Sequence, residues 1–302
     1  MKKIITLFIS ILFLIVMDFA LSRSSIPINE KGYLMGYKNF YKRALKTIGQ
    51  KRIILLGGSS LGWGVSAKDL TEKLGVLTLN AGVHAGVGYR GFFHNAKDVL
   101  DKEHDIIIIS PEYAVPSHDS VWLRSYEYCE IALLVIGQYP LKCIGFSLSK
   151  LSKVFPILDH KSGGDYFFSG FNNFGDYVFR KKGIDMVGKI RGNQSCKKIV
   201  IDDLVNQYVP FYRDLKNEGY KIFYVPNFVS NTGCTNERLL KKFHEIMFDE
   251  FGIPGFKESK QLYDEKYFYN TEYHLTKEGV ALKTKIFVRH LQALLTQSTF
   301  QR

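Results

Sequence analysis

The chain reads as an α/β protein built on a doubly wound, mostly parallel sheet, and three observations predict this. The short runs Ile53 to Leu56 and Asp105 to Ile109 are apolar with no polar alternation after the opening Asp105, as strands buried on both faces are. Stretches with helical spacing follow them, so strands and helices alternate along the chain. A glycine-rich turn, Gly57-Gly58-Ser59-Ser60, joins the first run to a helix-like stretch. At 302 residues the chain has room for one large domain that buries about 75% of its unfolded surface.

Residues 1–22 stand apart from that domain. Lys2 and Lys3 precede an apolar run from Ile4 to about Leu21, interrupted by Thr6, Ser10 and Asp18. This is either a signal anchor or a cleaved signal peptide. No Ala-x-Ala-like site follows and Arg23 comes directly behind the run, which favours the anchor. The lysines hold their end in the cytoplasm. The expectation is therefore a single-pass protein of the inner or plasma membrane, with its main domain facing the periplasm or cell exterior.

Residues 23–50 read as a linker and a leading helix from Lys38 to Ile48, and residues 51–302 as the α/β domain. Ala67 to Leu74 is the first crossover helix, and Gly75 to Leu79 the second strand. Tyr89 to Leu100 has helical spacing. Asp202 to Asn217 is a helix ending before Gly219, Lys221 to Val225 a strand, and Glu237 to Glu250 a helix. Thr276 is a good N-cap with Glu278 in the first turn, and starts a last helix that runs to about Leu295. Residues 113–198 break the rhythm with Gly, Ser and aromatics ("SGGDYFFSGFNNFGDYVF"). They are predicted to form an insertion over the C-terminal edge of the sheet, as a lid or a partner-binding surface.

Composition narrows the partners. The formal charge is +12 and the pI about 9.3, yet no DNA- or RNA-binding signature is present. An exported basic protein meets anionic lipid headgroups or acidic glycans instead. Aromatic content is 14%, which suits core packing and also stacking on sugar rings. Cys129, Cys143, Cys196 and Cys234 form no Cys-x-x-Cys pair, and both disulfides and buried thiols stay open. No phosphate loop, dinucleotide fingerprint or metal-ligand cluster appears, so no cofactor or metal is expected.

The chemistry rests on two segments, Ile54 to Gly64 ("ILLGGSSLGWG") and Tyr269 to Gly279 ("YNTEYHLTKEG"). A serine on a strand-to-helix turn sits where free N–H groups favour developing negative charge. It needs a base to take its proton, and His274 is the natural one.

At these residues the chain resembles the SGNH (GDSL-like) hydrolase superfamily. Gly58, Ser59, Ser60, Leu61 and Gly64 fall on its Gly-Asp-Ser-Leu block, with Ser60 in the nucleophile position and Ser59 replacing Asp. Asn80, Gly82 and Gly86 in "LNAGVHAGVG" approximate the second block. The third block should carry an oxyanion-hole asparagine, and "SPEY" puts Glu112 there. The last block, Asp-x-x-His, becomes Thr271-Glu272-Tyr273-His274, and one more residue of spacing puts Asn270 in the acid's place.

The resemblance covers roughly Arg52 to Ser110 and Tyr269 to Leu294. It implies an SGNH/flavodoxin-like three-layer sandwich with Ser60, His274 and Asn270 as catalytic residues. Backbone N–H groups at Ser60 and Gly86 would form the oxyanion hole, and Asn80, His84 and Glu112 are possible substrate contacts. The function it implies is a membrane-anchored O-acyltransferase, acetyl by preference, acting on a cell-surface polysaccharide. Its acyl donor would be a membrane-embedded partner. The alternatives are a carbohydrate esterase or deacetylase, and a non-catalytic glycan-binding or assembly protein.

Overall fold

A computed structural model describes residues 33–82, 92–93, 96–110, 112–113, 170–178, 201–232, 236–256, 260, 262–269 and 271–296. The N-terminal apolar run, all four cysteines and most of the insertion lie outside these residues. Among the described residues no helix is long and apolar enough to cross a membrane.

The first helix, α1 (Tyr33–Lys46), starts five positions before the predicted one and presents Tyr37, Phe40, Tyr41 and Ala44 to the core, spaced as one helical face. Strand β1 (Arg52–Gly57) is buried at every position. A single helical turn, α2 (Ser59–Gly62), follows, and then α3 (Ala67–Leu74). Ser66 caps α3 by accepting from the Asp69 N–H, and Gly75 ends it at a left-handed φ of 66°. Strands β2 (Leu77–Asn80) and β3 (Asp105–Ser110) come next. Helix α4 (Ile201–Asn217) precedes β4 (Lys221–Tyr224) and a two-residue strand, β5 (Val229–Ser230).

The predicted helix from Glu237 to Glu250 is divided. Helix α5 (Glu237–Glu245) passes into a π-turn over Ile246–Glu250. Strand β6 (Leu262–Tyr263) pairs in parallel with β5, and α6 (Lys277–Thr296) closes the described chain.

Four strands form one parallel sheet in the order β2-β1-β3-β4. Its register sets Ile54 beside Leu79 and Ile107, and Ile107 beside Ile222. Side chains alternate across the strands, so Ile54, Leu56, Ile107 and Ile109 face one layer with Phe40, Leu204, Tyr208 and Phe243. Ile53, Leu55, Ile106 and Ile108 face the other with Leu70, Phe287 and Leu291. Helices thus cover both faces, and each buried Ile or Leu contributes about 1.5–3 kcal/mol by leaving water.

The N-terminal edge is pinned by Arg52 and Asp105, both fully buried, which pair through two 2.7 Å contacts. The opposite edge is where β1, β2, β3 and β4 all end. Strand order reverses between β1 and β3, and this is the crevice where open α/β sheets bind ligands.

Candidate active site

Gly58 caps α2 in an extended conformation, φ −81° and ψ −167°, so Ser59 is the first helical residue and Ser60 the second. Successive helical side chains diverge by about 100°. Only one of the two serines can therefore face the crevice, and it is Ser59. Its Oγ lies 2.9 Å from His274 Nε2. Ser60 is fully buried, with its Oγ near the Glu112 carboxyl but outside ordinary hydrogen-bond geometry. The hydroxyl that the structure brings to His274 is thus that of Ser59, where the sequence pointed to Ser60.

Three further contacts fix that turn. The Trp63 N–H donates to the Ser59 carbonyl at 2.8 Å, closing the turn of α2. Asn80 donates its side-chain amide to the Leu61 carbonyl and to Asp176 Oδ1, both at 3.0 Å. Asn80 is therefore a brace beneath α2, its amide engaged within the fold. Gly82 lets the second block approach backbone to backbone, since a Cβ there would stand 2.3 Å from the Gly62 nitrogen.

His274 comes from a tight loop in which Phe268 and Leu275 bridge and the Tyr269 N–H donates to the His274 carbonyl at 2.8 Å. Thr271 Oγ1 accepts from the backbone N–H groups of Tyr273 and His274, shaping the loop. The imidazole stacks on Trp63 with ring centroids 4.8 Å apart and planes 13° apart. Trp63 stacks in turn with Tyr177, at 3.9 Å. Ser59 is 7% exposed and His274 5%, so the pair is largely shielded from water.

Glu112 follows β3 and reaches the same turn. Its Oε1 accepts from the Ser60 N–H at 2.7 Å and from Ser59 Oγ at 3.3 Å. Burial pushes its carboxyl above the usual range, against the opposing pull of the Ser60 N–H, the two serine hydroxyls and Lys283. Behind Ser60, the fully buried Lys283 of α6 donates to Asn227 Oδ1 at 2.6 Å and to the Ser60 carbonyl at 3.2 Å. Burial drives its ammonium down to about 7, while Glu112 acts the other way.

The loops are locked to one another. The Tyr113 N–H donates to the Tyr273 hydroxyl, and Tyr208 donates to the Glu112 carbonyl. His244 is buried between the hydroxyls of Tyr224 and Tyr113, and burial holds its imidazole neutral, at about 3.

The described part of the insertion, residues 170–178, is a small turn that packs against α2 and α3. Its Tyr177 N–H donates to the Gly62 carbonyl. Asp176 accepts from the Ala67 and Lys68 N–H groups at the start of α3. Asn270, Gly86 and His84 lie outside the described residues. Among the described residues no cluster of His, Cys, Asp and Glu is arranged to hold a metal ion.

Sequence reasoning missed Lys283, Asn227, Asp176 and the Trp63 stack. Two of these left a signal. Lys283 interrupts the apolar stripe Val280, Phe287, Leu291, Leu294 of α6, and Trp63 stands four residues after Ser59, on the same helical face.

The fold and site together define an α/β protein with a buried serine–histidine pair at the C-terminal edge of a parallel sheet. In comparisons with known proteins, the chain matches no family model, no curated protein and no solved structure.

Proposed function

We propose that this protein is an exported, membrane-anchored O-acyltransferase of the SGNH-like kind, acting on a cell-surface polysaccharide, with Ser59 as nucleophile and His274 as base. The observation that carries this reading is the 2.9 Å contact between Ser59 Oγ and His274 Nε2. Read one residue earlier, Gly57-Gly58-Ser59 stands on the family's Gly-Asp-Ser, with Gly58 at the Asp. The three-layer sandwich and the membrane anchor belong to the same proposal.

In the first half-reaction the Ser59 hydroxyl turns its one proton from Glu112 Oε1 to His274 Nε2, and Oγ attacks the donor's acyl carbonyl as that proton passes to Nε2. The donor's leaving group takes that proton as its bond to the acyl carbon breaks. In the second, a sugar hydroxyl gives its proton to Nε2 while its oxygen takes the acyl group, and Ser59 recovers the proton. Glu112 now holds the Ser60 N–H that a developing oxyanion would use. Burial raises its carboxyl against the pull of its hydrogen-bond donors and Lys283, and the transfer step requires the neutral carboxyl, which donates to an oxyanion where a carboxylate repels it.

That same contact favours a second reading. If Glu112 stays ionised on the Ser60 amide, the fold serves as a glycan-binding or assembly protein and the pair is vestigial. One experiment separates the two. The full chain in detergent is treated with p-nitrophenyl acetate, quenched in acid and mapped by peptide mass spectrometry. The transferase reading expects an acetyl group on Ser59, absent in Ser59→Ala and retained in Ser60→Ala. Labelling that survives Ser59→Ala, or no labelling in the wild type, overturns it.

A further inference from the structure

Ser59 and Trp63 are separated by one helical turn, so a single turn delivers both the hydroxyl and an indole face to His274. The imidazole makes both contacts at once, through Nε2 to Ser59 and through its ring face to Trp63. Trp63 is itself held. It is 1% exposed, packs with Phe171, Tyr177 and Tyr269, and its N–H closes the turn of α2. At 4.8 Å and 13° the imidazole lies nearly parallel to the indole while its Nε2 meets Ser59, so tilting the ring would weaken the stack or the Ser59 contact.

We infer that Trp63 is the positioning residue for His274, fixing the plane of the imidazole and stabilising its protonated form by the negative face of the indole. The inference rests on the proposed role of Ser59 and His274. When the Ser59 proton moves to Nε2 the imidazole becomes a cation, and a cation within about 6 Å of an indole centroid is attracted by the ring quadrupole. The attraction is largest in a desolvated site, and this one is buried. It acts in the charged state of the base and hardly in the neutral one, so it lowers the barrier rather than merely tightening the resting contact. Of the charged groups, Glu112 shares Ser59 with the ring, Lys283 holds the Ser60 carbonyl behind it, and Glu272 belongs to the same loop in sequence. Tyr177 and Tyr269 flank Trp63. None of them changes when the indole alone is altered.

The test keeps the shape of Trp63 and drains its quadrupole. The full chain in detergent is produced with 5-fluoro-, 5,7-difluoro- and tetrafluorotryptophan. The sequence holds two tryptophans, Trp63 and Trp122, and the same series in Trp63→Phe reports on Trp122 alone. The His274 pKa is read by NMR, assigned by its loss in His274→Gln, and acyl-serine formation is followed with the activated ester. The His274 pKa should fall stepwise with fluorination, by about one unit across the series, and labelling should slow up to about tenfold at its pH plateau with little change in KM. The Trp63→Phe series should be flat. A His274 pKa that does not move across the wild-type series overturns the inference, even where labelling slows. The pKa readout needs no turnover, so a chain that never labels but still shows the stepwise shift fails the transferase reading and keeps the role of Trp63.

Discussion

Replacing Lys283 by methionine removes a buried amine that holds the Ser60 carbonyl, one residue from the proposed nucleophile, and its consequence for stability has a definite sign. In the folded chain burial holds the Lys283 ammonium down at about 7, against 10.5 when unfolded. Between those values the unfolded chain carries one more proton than the folded one, so stability rises with pH at up to about 1.4 kcal/mol per unit. Below about pH 7 both states are charged and above 10.5 both are neutral, so this contribution is flat outside the window. From pH 7.5 to 9.5 the wild type should therefore gain about 2 kcal/mol that Lys283→Met does not.

Glu112 and Asp176 have the opposite sign. Their raised carboxyls lose stability as pH climbs from the unfolded value through the folded one. Asp176 cancels between wild type and variant. Loss of Lys283 pushes Glu112 higher still, which widens the difference between the two curves. Tyr37 and Tyr224, raised well above 10, act only at higher pH. The substitution leaves Asn227 Oδ1 with the Phe228 N–H at 2.9 Å, so the Ser60 carbonyl is the main group to lose a partner, at about 1–3 kcal/mol. The assay is urea unfolding of the full chain in detergent at constant ionic strength, across pH 6.5 to 9.5, for both proteins. Parallel curves would refute the reasoning, because they require Lys283 to titrate alike in the folded and unfolded chains.

Further outcomes follow from the same structure. Arg52→Leu should cost about 3–5 kcal/mol because it strands Asp105 in the core, and the double variant Arg52→Leu/Asp105→Leu should recover much of that in the same unfolding assay. Asp176→Asn should destabilise by about 2–3 kcal/mol, since an amide cannot accept from the Ala67 and Lys68 N–H groups and from Asn80 together. Thr271→Asp keeps an acceptor for the His274 N–H and adds a carboxylate beside the loop, so acyl-serine formation should accelerate. A reporter fused at Arg302 should be active when it requires export and silent when it requires the cytoplasm, and the reverse pattern sinks the cell-surface reading.

The sequence by itself determined the sheet and its helices. Apolar runs such as Ile106 to Ile109 fit burial on both faces of a sheet, and the capping signal at Thr276 marks a helix start through a local hydrogen bond. The caps at Ser66 and Gly75 came from the structure, where Gly75 ends a helix instead of starting the strand that the sequence suggests. The sequence also pointed to one edge for the glycine turn and His274, because parallel strands all end together, but named Ser60 where the contact is made by Ser59.

Which serine makes that contact was decided by tertiary structure. Ser59 and Ser60 are neighbours of identical chemistry, and the choice depends on where α2 begins, which is set by Gly58, the Asn80 brace and the close approach of Gly82. The environments of Glu112, Lys283 and Trp63 were equally beyond the sequence, because each joins residues 52 to 223 positions apart. A pattern along the chain reports periodicity and local geometry. The distance between a carboxylate, a buried amine and an indole exists only once the sheet has closed and water has left the space between them.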